Sequence, residues 1–98
     1  MPLFAFVGYD VSESAKRREL NRAAHLEHLR SLDRQKRIAF AGPLRNDAGD
    51  ASIGAIIVID TADLAAARDF FARDPYLLGG VYERHTISPF KLAFPESK

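Results

Sequence analysis

The sequence predicts an α+β domain in which a four-stranded antiparallel sheet carries two helices on one face, and three observations predict it. Residues 3–9 and 54–59 are short runs dense in Phe, Val and Ile, the pattern of strands buried on both faces. Residues 15–37 and 62–72 repeat apolar side chains at helical spacing. Strand-like stretches at 38–41 and 81–87 complete the order βαβ-βαβ, one unit used twice. A chain of 98 residues accommodates one such domain, taken as 1–98.

Each element has its own local reason. After the first strand, Ser12 or Ser14 offers an N-cap, and Glu13 lies near the positive end of the first helix. That helix ends near Lys36 or Arg37. Strand character resumes at 38–41 and stops at Gly42-Pro43, a breaker pair that an edge strand tolerates. Residues 45–52 hold no apolar side chain larger than Ala and form a hairpin loop, without the ordered oxygen spacing of a calcium loop. The β-branched run at 54–59 belongs at the centre of the sheet. Thr61 or Asp63 caps the second helix, whose stripe is Leu64, Ala67, Phe70 and Phe71. Asp74 before Pro75 fits an N-cap with Pro at the first helical position, so a short extra turn covers 75–79. The alternating residues 81–87 make the fourth strand, and 89–94 add a short terminal strand or arm. The other sheet face has no cover from this chain, so a homodimer is expected.

Composition narrows function by exclusion. With no cysteine there is no disulfide framework, thiolate metal site or Cys nucleophile, and a cytoplasmic location is the expectation. The first ten residues read as a strand, too polar and too short for a signal sequence or membrane span. Net charge is +1, yet residues 15–37 hold eight basic residues against three acidic ones. Arg17, Arg30 and Arg34 lie opposite the Leu stripe on a solvated face, and no aromatic RNA-binding motif marks the sheet; neither nucleic acid nor membrane is an expected partner.

The first helix breaks its own amphipathic pattern. Arg18, Arg22 and His25 share the inward arc with Leu29, where burial alone would call for Leu or Ala. Charges there need partners or water, so the stripe describes the wall of a wet, cationic cavity. Guanidinium forks suit the carboxylate or phenolate of a small anion; alternatively each arginine pairs with an acidic residue of the sheet or of a second copy. His28 follows His25 at a spacing that metal sites use, but it points about 60° away and the sequence places no carboxylate beside it; no metal is expected. His85 lies in an alternating strand and is expected exposed. No phosphate loop or nucleophile elbow occurs.

These residues together resemble the YciI-like family of the ferredoxin-like, dimeric α+β barrel superfamily. The resemblance rests on Arg18-x3-Arg22-x2-His25-Leu26, Ala41-Gly42-Pro43-Leu44, Gly54, Asp74-Pro75-Tyr76, Gly80-Val81-Tyr82-Glu83 and Pro89-Phe90, six pieces in order over nearly the whole chain. It implies dimers with sheets packed face to face, and a pocket in which His25 and Asp74 form a His–Asp dyad. One branch of the family is similar to a dehydrochlorinase acting on a chlorinated hydroxyhydroquinone.

His25 is then the expected general acid or base, because imidazole changes charge near neutral pH. Asp74 orients it and stabilises the imidazolium while also capping the turn. Arg18, Arg22, Tyr76, Pro43 and Ser88 are the expected substrate-side residues. The reading is a cofactor-independent enzyme for proton transfer, elimination or hydrolysis on a small anionic metabolite, aromatic or unsaturated. The alternative is a non-catalytic small-molecule-binding or interaction module with the same pocket.

Overall fold

A computed structural model of the chain describes residues 2–96. In chain order its elements are β1 (Leu3–Asp10), α1 (Ala15–Asp33), β2 (Ile38–Arg45), β3 (Ser52–Asp60), α2 (Leu64–Ala72), the single turn α3 (Pro75–Leu78) and β4 (Tyr82–Phe90). The strands pair antiparallel in the order β2-β3-β1-β4, so the two most apolar strands sit in the middle, as their composition requires. This is the ferredoxin-like α+β arrangement expected from the element order.

Strand alternation divides the side chains between two faces. Phe4 and Phe6 of β1 and Ala55, Ile57 and Ile59 of β3 face the helices and pack with Leu32, Ala67, Phe70 and Phe71. Phe6 stacks on Phe71 with ring centroids 4.9 Å apart. Ala5 and Val58 point to the opposite face, yet both are buried. The register explains this: Phe40 and Phe90 lie on that face, one from each edge strand, and their rings meet edge to face at 6.1 Å. Tyr9 and Phe40 remain partly exposed there.

Several boundaries differ from expectation, each for a local reason. α1 ends at Asp33, and Lys36 takes the left-handed conformation (φ 58°), with its N–H bonded to the Asp33 carbonyl at 2.8 Å and that of Arg37 to Leu32 at 3.1 Å. This is a Schellman stop built without glycine. Ser14 is the N-cap residue of α1, but its hydroxyl donates to Asp10 and not to the helix. Asp63 caps α2 through the Ala66 N–H at 2.8 Å. β2 continues through Gly42-Pro43 to Arg45, which an edge strand permits because Pro43 stands opposite Ala55 with no strand on its other side. β4 runs on to Phe90, absorbing the start of the expected terminal arm; residues 91–96 form no strand. Loop 46–51 is tied by the Asn46 carboxamide, which accepts from the Asp50 and Ala51 N–H groups. Among the described residues no helix is long and apolar enough to cross a membrane.

Candidate active site

The polar stripe of α1 faces inward. Arg18, His25 and Leu32 are the buried residues of this helix, each seven positions from the next and so on one face. Opposite them lies α3, whose first residues come from Asp74-Pro75-Tyr76. Pro75 opens the turn and Asp74 caps it, accepting the Tyr76 N–H at 2.9 Å. That cap fixes the carboxylate against α1.

His25 meets this turn twice. Its ring lies parallel to Tyr76, with centroids 3.7 Å apart and planes 6° from parallel. Its Nδ1 is 2.7 Å from Asp74 Oδ1. A carboxylate oxygen accepts, so Nδ1 carries the hydrogen and neutral His25 keeps its lone pair on Nε2. Asp74 is 1% exposed, and its Oδ2 is buried without a partner among the described residues. The carboxylate charge is thus met by the imidazole and one backbone amide. The Tyr82 hydroxyl is also buried and unpartnered among the described residues; burial first, then the charge of Asp74, push this phenol far above its ordinary range, so it stays neutral.

In front of His25 opens a cleft of about 350 Å³ between α1 and the β2–β3 side of the sheet. Arg22, His25, Leu26 and Leu29 form one wall, Ala41, Pro43, Ala55 and Ile57 the other, and Arg45 and Ser52 also line it. Asp74 does not line this cleft and His25 does, so the imidazole joins carboxylate to cavity, and its Nε2 bonds no described residue. The floor is apolar, and the polar residues around it are His25, the three arginines, Ser52 and Tyr76.

The expected residues separate cleanly by position. His25 and Asp74 are in contact, and Tyr76, Pro43, Arg18 and Arg22 line the cleft in front of them. Arg18, however, is largely committed: Nε and Nη2 donate to the two Asp10 oxygens at 2.7 and 3.0 Å, and Nη2 to the Gly54 carbonyl at 2.9 Å. Burial alone would weaken its hold on the proton, but the bond and charge of Asp10 outweigh this and hold the guanidinium above its ordinary value. Position 54 needs glycine for the close packing of β3 on β1, since a Cβ there would collide with the Gly8 carbonyl oxygen. Arg22 is exposed, and its side chain has no hydrogen bond or ion pair with any described residue.

Ser88 does not reach the cleft. It pairs with Ala5 in β4, and because Ile87 turns toward the helices, strand alternation turns Ser88 to the other face of the sheet. His28 donates Nε2–H to the Phe70 carbonyl at 2.7 Å and stacks on Phe70, so the two neighbouring imidazoles serve different partners. Among the described residues no group of three His, Asp or Glu side chains has the geometry to hold a metal ion. His85 is exposed on β4, stacked on Phe6.

Arg45, like Ser52, is a cleft residue that sequence reasoning misses. Ending the second strand at Gly42-Pro43 consigns it to a polar turn. Once β2 runs through Pro43, Ala41, Pro43 and Arg45 all line the cleft at the two-residue spacing of a strand.

Comparison with known proteins adds the following. The family model described as YCII-related domain matches residues 2–91. Protein YciI of Escherichia coli O6:H1 is 34% identical over 97 residues, covering 94% of this chain and 99% of that protein. An uncharacterized protein of Haemophilus influenzae is 29% identical over 96 residues, with 93% and 98% covered. Among solved structures, the 5-chloro-2-hydroxyhydroquinone dehydrochlorinase of Burkholderia phenoliruptrix AC1100, in complex with 2,5-dihydroxybenzoquinone, superposes with a TM-score of 0.82 at 22% identity, over 91% of this chain and 93% of that one. SnoaB of Streptomyces nogalater, a cofactor-independent oxygenase, gives 0.55 at 21%, over 97% of each. At these identities the two structures share the fold.

Proposed function

Given that the chain belongs to the YCII-related family, we propose that the cleft is the active site of a small-molecule enzyme in which His25 moves a proton under the control of Asp74. The observation that carries this reading is the 2.7 Å bond between His25 Nδ1 and the buried Asp74 carboxylate, which leaves Nε2 as the free nitrogen of a ring that lines the cleft. Nε2 takes a proton from an acidic O–H or C–H of the substrate, and the imidazolium is stabilised by the carboxylate behind it. The electron pair left on the substrate expels a leaving group or reorganises a double bond. The proton then returns to product or solvent. Such an elimination or isomerisation is redox-neutral and is complete with the base alone.

Fold-level likeness to a dehydrochlorinase and to a cofactor-independent oxygenase supports a small organic substrate. The cationic lining supports an anionic one, aromatic or unsaturated, lying between Pro43 and His25. The test is turnover of chlorinated hydroxyhydroquinones and hydroxylated aromatic acids, followed by chloride release or deuterium uptake from solvent. Wild-type protein should turn over a member of this panel, His25→Asn should abolish that activity, and Asp74→Asn should slow it by roughly 10²–10⁴. Wild-type rates in both variants would leave a ligand-binding module without chemistry at His25.

A further inference from the structure

A second concavity of about 680 Å³ adjoins the cleft, lined by the turn into α1 and by residues 50–53, and the two share Arg18, Arg22, Arg45 and Ser52. Three guanidiniums therefore meet at one junction. The Arg18 guanidinium is bound to Asp10 and Gly54, whereas the side chains of Arg22 and Arg45 make no hydrogen bond or ion pair with any described residue. Glu13 and Asp50 line the second concavity with their charges, but among the described residues no local carboxylate bonds the guanidinium of Arg22 or Arg45. Asp10 is taken by Arg18 and Ser14, Asp50 accepts from Asn46, and Glu13 bonds neither arginine.

Like charges lining one cleft repel each other unless an anion lies between them, and forked guanidiniums bind a carboxylate with directional, charge-assisted bonds. The apolar floor of Pro43, Ala55 and Ile57 lies on the His25 side of this junction. We infer that Arg22 and Arg45 anchor the carboxylate of the substrate, so that its flat apolar body lies along that floor and its reacting end reaches His25. The inference rests on the proposed active site and deepens it: the substrate class becomes an aromatic or unsaturated carboxylate, and Arg45 becomes a specificity-determining residue.

Binding of benzoate and of its neutral isostere benzamide, measured by calorimetry and NMR on the whole chain, tests this without needing turnover. Wild-type protein should bind benzoate more tightly than benzamide, less so as salt rises. Arg45→Gln and Arg22→Gln should each weaken benzoate about tenfold or more, with little change for benzamide, and Arg45→Lys should restore part of the loss. Both side chains are exposed, so the variants should stay folded, which circular dichroism checks. The preference for benzoate over benzamide is read without turnover, which separates failure of the anchor from failure of the proposed chemistry. Equal affinity of wild-type protein for the two probes, or unchanged benzoate affinity in Arg45→Gln, overturns the inference.

Discussion

Arg18 and Arg22 are one helical turn apart and carry the same charge, yet burial gives them opposite duties. The Arg18 and Asp10 side chains are 8% and 4% exposed, so each depends on the other for its solvation. Truncation in Arg18→Ala strands a buried carboxylate and should cost about 3–5 kcal/mol, seen as a large drop in the urea midpoint. Arg22→Ala should stay within about 0.5 kcal/mol of wild type. Equal, small losses would mean that the Asp10 pair contributes nothing. At this scale the sequence is legible where a residue type is costly in its setting: His25 and Arg18 stand out because an apolar stripe has no other use for them. It is opaque where the setting itself comes from strand pairing. Nothing local says that Ser88 turns away from the helices, or that Asp10 is the arginine's partner.

The elements read well in their interiors and poorly at their ends, and α1 and β2 show why. A helix stop normally advertises itself with glycine, but here Lys36 adopts φ 58° to close the Schellman motif, a conformation that side chains with a Cβ resist. Lys36→Gly should relieve this and raise stability by about 0.5–1 kcal/mol, measured as a higher urea midpoint with unchanged slope. A neutral or destabilising result would show that the Lys36 side chain offsets its backbone strain. In β2 the breaker pair Gly42-Pro43 ends nothing, because an edge strand needs no outward hydrogen bonds. The consequence is functional: continuing the strand puts Pro43 and Arg45 on the cleft. The single turn α3 is the converse case, since Asp-Pro announces its start and the cap that begins the turn also holds the carboxylate behind His25.

For the whole molecule, element order and apolar runs specify the fold, while one sheet face is left partly open to solvent. Ala5 and Val58 are sheltered there by Phe40 and Phe90, but Tyr9 and Phe40 still meet solvent. We propose that a second copy packs on this face. A stable dimer buries roughly 800 Å² per partner. Sedimentation at micromolar concentration should give a dimer that Phe40→Asp dissociates, and a wild-type monomer would refute the proposal. In the proposed active site, sheet and helices together hold one proton on one side of one ring, with Asp74 on one side of His25 and the cleft on the other. The most direct measurement is the ¹⁵N NMR spectrum of the His25 imidazole in the neutral form. It should show hydrogen on Nδ1 and a bare Nε2, with the preference lost in Asp74→Ala; a wild-type ring carrying its hydrogen on Nε2 contradicts the account.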